Sequence, residues 1–325
     1  RICGLVMDKN GNLTVAQSGQ KAVISILRPD GSWIVNAFTI NSPVAGDMIA
    51  TRSGQKWILL PEGNGIYVAD DNRTPGILND DRSKLLTIRD NDGNLIVRAF
   101  SAAEDQDGNV WVGTDKGPVV YAAGKSVFDD DITAFRIKIP RNDGSGLADY
   151  LLGTETITSI SVDGANRKWL GTQSSGIYLL SADGSDIIKN YNKNNSPLPS
   201  DSISALAVDN LTGVLWIGTS RGIVSVRQLA TSGSDNYSRA YVFPNPVRED
   251  YTGKLTITGL MTETRLKITD VSGNLVHETI SEGGQAEWDL TTYSGKRVST
   301  GVYLIFCSNS DGSASAIIKV LVIGN

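Results

Sequence analysis

Carboxylates are the side chains of this sequence best suited to chemistry. Aspartates recur at Asp8, Asp107, Asp163 and Asp209, and two acidic stretches stand out, Asp105-Gln106-Asp107-Gly108-Asn109 and Asp129-Asp130-Asp131. Two carboxylates converging on one sugar would support glycoside hydrolysis, helped by Tyr or Arg. Several oxygens around one point would hold calcium. The spacing argues against both. The aspartates return once per repeat, which is the behaviour of a structural turn. A sialidase-type Asp box needs Asp two positions before Gly, whereas Asp8 and Asp105 stand three before it. Neither acidic stretch has the six-position ligand spacing of an EF-hand. No cofactor is expected, with calcium as the alternative, and no catalytic residue is assigned.

The remaining reactive groups are scarce. His277 is the one histidine, so any Ser-His or Cys-His nucleophile would have to use it. It follows a predicted hairpin turn, Val271-Ser272-Gly273-Asn274, and reads as a solvated strand residue. Cys3 and Cys307 lie at opposite ends and read as two free thiols, with a bridge between them as the minority reading. Two cysteines and one histidine do not make a zinc site.

These residues must be carried by strands. The chain has 325 residues, 40% apolar and 20% charged, ample for one or two cores. Helix-favouring runs are almost absent. Short Val/Ile/Thr/Trp/Tyr segments cut by Gly, Asn, Asp and Ser dominate, which predicts an all-β protein. The net charge of −5, with no Lys/Arg stripe, makes nucleic acid an unsuitable partner. No apolar run approaches the roughly 18 residues of a membrane helix. An opening at Arg1 without Met or an apolar leader reads as a mature form or a fragment.

One phrase is rewritten five times: Gly4–Asp8 with "GNLTVA", Met48–Ala50 with "QKWILLPEGNGIYVA", Ala102–Asp105 with "GNVWVGTDKGPVVY", Ile160–Asp163 with "RKWLGTQSSGIYLL", and Leu206–Asp209 with "GVLWIGTSRGIVSV". The anchor is Leu13, Trp57, Trp111, Trp169 and Trp216, recurring every roughly 44 to 58 residues. A unit of that size with about four strands is a β-propeller blade. Each unit reads as a strand ending in Asp, a turn, the Trp strand, Gly-Thr, and a second turn. Both faces of a blade are covered by neighbours, so Trp57, Trp111, Trp169 and Trp216 read as packing anchors rather than sugar platforms. The Gly after each anchor permits close approach of blades. Trp33 lies outside this register and is the tryptophan expected at the surface. The first unit shows all four strands, whereas the last stops after three. The expectation is that sequence upstream of Arg1 supplies the missing strand and further blades, with a five-blade ring as the fallback.

The phrase "D…GNVWVGT…G" resembles the regulator-propeller repeat of extracytoplasmic sensor proteins in Bacteroidetes, over residues 1–226. A polar segment, 227–240, reads as a linker. Residues 241–325 then alternate as an Ig-like β-sandwich of about seven short strands. This stretch resembles the type A C-terminal sorting domain of the type IX secretion system. The matching pieces are Tyr241–Val247 with Pro244-Asn245-Pro246, Leu266–Val276 with Asp270 and Gly273, Trp288–Ile305 with Asp289, Gly301 and Tyr303, and Lys319–Ile323. A generic Ig-like module is the alternative there. Propeller and tail together resemble the PorZ-type family of surface components. That resemblance implies a non-enzymatic protein on the outer face of the outer membrane, with the cargo sortase, other secretion components and anionic lipopolysaccharide as partners. The competing readings are a secreted cargo protein with a glycan-binding or glycan-degrading propeller, and an extracytoplasmic glycan sensor.

Overall fold

A computed structural model describes residues 1–40, 44–62, 65–123, 127–129 and 132–324, apart from the side chains of Asn36 and Ala37. Asp130 and Asp131 of the acidic run lie outside the described residues. Among the described residues every regular element is a β-strand. The chain divides into two compact units: Arg1–Val162 with Lys168–Ala207 and Ile217–Val224, and Asp163–Arg167 with Val208–Trp216 and Ser225–Asn325.

The first unit is made of blade sheets. Ile2–Met7, Leu13–Gln17, Ala22–Leu27 and Trp33–Thr39 form the first, each strand antiparallel to the next. Met48–Ala50, Lys56–Leu60, Gly65–Asp70 and Arg82–Leu86 form the second. The third has three named strands, Ala99–Glu104, Val110–Thr114 and Gly117–Tyr121, and Phe135 adds one rung beside Val120. A small hairpin, Lys138–Pro140 with Ala148–Tyr150, precedes the fourth blade of Ile157–Val162, Lys168–Thr172, Ile177–Leu180 and Ile187–Tyr191. The last sheet has three strands, Ile203–Asp209, Val214–Thr219 and Gly222–Arg227, as the truncated pattern predicts.

The cores lie between sheets. Ile24, Ile26 and Phe38 of the first blade meet Met48, Ile58 and Tyr67 of the second. Trp57 and Val68 meet Val110, Val112 and Tyr121 of the third, and Trp111 meets Ile157 and Leu170 of the fourth. Strands pressed on both sides are therefore buried at every position, as in Val110–Thr114 and Lys168–Thr172. Such strands lose the alternation that marks a half-buried one.

The glycine of the repeated phrase has the expected use. A Cβ on Gly113 would sit 2.7 Å from the Ile157 carbonyl oxygen, and one on Gly171 would sit 2.6 Å from Ile203 Cγ2, both in the following blade. At Gly218, in the last sheet, the nearest atom is Ser204 Oγ of the same sheet at 3.2 Å.

In the second unit the C-terminal strands form two sheets. One runs Tyr241–Phe243, Leu255–Thr258, Gln285–Trp288; the other runs Leu275–Ile280, Arg265–Asp270, Gly301–Ser308, Ser315–Val322. Leu255, Ile257, Ile268, Trp288, Ile305 and Val320 fill the space between them. Residues 227–240 are tied in place rather than loose. Ala230 and Tyr237 are buried, and the Tyr237 hydroxyl lies 2.9 Å from Thr264 Oγ1. Arg167 donates to Asp163 Oδ2 at 2.8 Å and to Glu282 Oε2 at 2.6 Å. Gly284 donates its N–H to the Thr231 carbonyl at 2.8 Å.

Candidate functional site

The turn aspartates show first what the chain's carboxylates do. Asp8 Oδ1 accepts the N–H groups of Asn10 and Asn12 at 2.8 and 2.9 Å, and its Oδ2 accepts Asn12 Nδ2 at 2.8 Å. Asp105 repeats this with Asp107 N and Asn109, Asp90 with Asp92 N and Asn94, and Asp270 with Ser272 N and Asn274. The unit is Asp-x-x-Gly-Asn, with the fourth residue left-handed: φ is 80° at Gly11, 82° at Gly93, 85° at Gly108 and 86° at Gly273. Glycine adopts that conformation without steric cost. Asp163 and Asp209 close related turns, with Asn166 at φ 59° in the first. Asp107, placed with the turn aspartates from sequence, is a correction: it donates its N–H, and Asp105 is the residue that closes the third blade's turn. The acceptor must stand where the strand ends, two and four residues before its donors.

Asp105 carries a second task. Its Oδ2 accepts from Trp111 Nε1 at 2.9 Å and lies 3.0 Å from the Lys168 ammonium of the next blade. Lys168 is fully buried, stands 5.0 Å from the Trp111 ring centre, and also donates to the Ala182 carbonyl. Burial alone would raise the Asp105 carboxyl, but the bonds from Asn109, Trp111 and Lys168 hold it below its ordinary value. Lys56, at the same register two repeats earlier, pairs with Asp71 at 2.5 Å. Burial raises the Asp8 carboxyl, but the bonds from Asn12 and Asn10, with a smaller contribution from the Lys56 charge, bring it below its ordinary value. Sequence reading missed this pairing, although a lysine directly before the anchor in "QKW" and "RKW", and apolar residues in "NVW" and "VLW", was its signal.

The four tryptophan anchors separate into two kinds. Trp57, Trp111 and Trp169 are buried, so no sugar can stack on them, whereas Trp216 is 51% exposed. Trp33 is 54% exposed, as its position outside the register predicts. His277 stacks between Trp288 and Tyr293, with ring centres 6.3 and 6.1 Å away. Both cysteines are free, and burial pushes the Cys307 thiol up to about 11.

The structure gathers some motif residues of the C-terminal domain and disperses others. Asn245, between Pro244 and Pro246, donates Nδ2 to the Lys319 carbonyl at 3.0 Å and accepts the Leu321 N–H at 3.1 Å. Val247 continues along the same edge, donating to Leu321 O at 2.8 Å and accepting from Ile323 N at 2.9 Å. The Pro-Asn-Pro segment thus covers the outer edge of the Ser315–Val322 strand, which would otherwise offer unpaired backbone groups. Asp270 and Gly273 make the turn already described. Tyr303 pairs across from Asp270, packs edge-on against Trp288 at 5.6 Å, and donates its hydroxyl to Ser299 O at 2.9 Å. Asp289 accepts both the N–H and the hydroxyl of Thr291, and Gly301 opens its strand opposite Val322. Lys319 is exposed on the outer face beside Leu304. These residues shape a domain and its exposed tail strand; they do not converge on a catalytic centre.

Comparison with known proteins follows the same division. Residues 241–323 match the model of the secretion system C-terminal sorting domain, and residues 96–116 match that of the two-component regulator propeller. Propeller blades followed by that tail define a β-propeller protein carrying a type IX sorting signal, and direct the chain to the cell surface or beyond. Its particular likeness is to PorZ, described as an essential bacterial surface component of the type IX secretion system of Porphyromonas gingivalis. The two are 29% identical with a TM-score of 0.67, over 99% of this chain and 45% of PorZ. This chain thus spans less than half the length of that protein. The extracellular domain of a hybrid two-component system of B. thetaiotaomicron shares 14% identity at TM-score 0.48, over 99% of this chain and 44% of its own. Virginiamycin B lyase of Staphylococcus aureus shares 12% at TM-score 0.45, over 98% of this chain and 94% of its own. No curated protein matches the chain. Among the described residues, no helix is long and apolar enough to cross a membrane.

Proposed function

We propose that this chain is a non-enzymatic surface component of the type IX secretion and attachment machinery. It works on the outer face of the outer membrane, binding anionic lipopolysaccharide and the sortase that joins cargo to it. The observation that carries the reading is the match to PorZ over 99% of the chain, covering blades and sorting domain alike. The fate of the carboxylates supports the absence of catalysis. Asp8, Asp90, Asp105 and Asp163 are engaged in turns, and the last three also in ion pairs.

The test is affinity capture from intact cells with the full chain as bait, followed by quantitation of bound protein and lipopolysaccharide. Recovery of the sortase with anionic lipopolysaccharide is the expected result. Recovery of soluble dietary or host glycan alone, or turnover of a chromogenic glycoside panel by the purified chain, would replace this reading with that of a secreted cargo protein.

A further inference from the structure

A cleft of about 320 Å³ opens between the first two blades, at the end where their Asp8 and Thr51 turns lie. Small-ligand sites begin at about this volume. At the base of the cleft is the Lys56–Asp71 pair, with side chains 10% and 5% exposed. Asp71 Oδ1 also accepts the Arg73 N–H at 3.1 Å, and the Asp8 carboxylate is taken up by Asn10 and Asn12. Both carboxylates in the lining are therefore committed.

The donors are not. Among the described residues, Lys9 and Arg73 line the same cleft without a carboxylate partner, and the Arg73 guanidinium donates to the Arg52 carbonyl at 2.7 Å. Lys56 uses one of its three N–H groups on Asp71. A lining with spare donors and filled acceptors selects a ligand rich in acceptors and negative charge. Met7 and Pro75 add an apolar wall, which suits a ring with C–H faces better than a bare inorganic anion.

We propose that this cleft binds one anionic sugar unit, a carboxylated or phosphorylated saccharide. Arg73 and Lys9 would hold the anionic group, and Lys56 would donate to a ring hydroxyl or to the same anion. The inference deepens the lipopolysaccharide part of the function proposed above and rests on it for the source of the sugar.

Titration of the full chain with glucuronate, mannose 1-phosphate and neutral glucose, by calorimetry and by chemical shift, tests it. Both anionic sugars are expected to bind, more weakly as salt is raised, and glucose is expected not to. Lys9→Gln and Arg73→Gln should each lower the affinity about tenfold, the loss of one charge-assisted hydrogen bond. Lys9 is exposed, so its variant keeps the fold and serves as the check should Arg73→Gln lose its native circular dichroism. Equal binding of glucose, no binding of either anion, or unchanged affinity in both variants would overturn the proposal. The same variants used as bait separate the two readings. Undiminished capture of lipopolysaccharide by Lys9→Gln and Arg73→Gln would sink the cleft and leave the surface function standing. Binding of the free sugars, lost in the variants, by a chain that captures no lipopolysaccharide would do the reverse.

Discussion

At the scale of single residues, Asp105 is the most heavily used side chain, closing its own turn while neutralising a lysine from the next blade. Removing one partner of a buried ion pair leaves the other charged and dry, at a cost of about 3–5 kcal/mol. Asp105→Asn keeps the turn bonds and strands Lys168, so it should destabilise by about 3 kcal/mol, read as a shift in the urea midpoint. Asp8→Asn, at a more exposed site, should cost under half of that; equal losses would remove the buried pair from the account. The carboxylates also set an acid limit. Burial raises Asp105, yet its bonds bring it below the ordinary range, and the bonds from Asn274 and the turn N–H groups lower Asp270. Folded values below the unfolded value of about 3.9 stabilise fully above that value, and the contribution fades as pH falls through the folded one. Thermal midpoints should hold between about pH 7 and 5 and drop below about pH 4. A midpoint that climbs on acidification would contradict this.

At the scale of elements, the Asp-x-x-Gly-Asn turn serves the blades and the C-terminal sandwich alike, so it marks a strand reversal and not a fold. What separated the domains in the sequence was the spacing of anchors and the Pro-Asn-Pro stretch. Strands were legible where one local rule governed them: the first blade shows all four of its strands, as its complete pattern predicts. The Gln285–Trp288 strand was not legible, because its place depends on pairing with Leu255–Thr258, some thirty residues away. The tied-down residues 227–240 escaped for the same reason, since Tyr237 finds Thr264 only in the fold. The cleft at Lys56 could not be read at all, its walls coming from three separate turns. Asn245 gives the sharpest test at this scale. Asn245→Ala removes two edge bonds, worth about 1–2 kcal/mol together, and bares the edge of the tail strand. Self-association by light scattering should rise with only a small loss in thermal midpoint; a strictly monomeric variant would show that the carboxamide does not guard the edge.

At the scale of the molecule, burial is unevenly shared between blades. The inner strands Lys56–Leu60, Val110–Thr114 and Lys168–Thr172 of the second, third and fourth sheets are buried at every position, whereas Leu5, Met7, Trp33 and Val35 on the outer strands of the first are 54–67% exposed. Apolar area of this kind on a soluble surface marks a site of association. Leu5→Lys with Met7→Lys should therefore lower concentration-dependent association in sedimentation velocity while leaving stability within about 0.5 kcal/mol. Unaltered association would place the adhesive surface elsewhere. The contrast between bare and sealed indoles has an optical consequence. Trp33 and Trp216 face water, while Trp57, Trp111, Trp169 and Trp288 do not. Red-edge emission, and its quenching by acrylamide, thus belong to two reporters, one on the first blade and one on the last. Whatever settles over either blade will announce itself as a blue shift from that reporter alone, against a silent background from the other four.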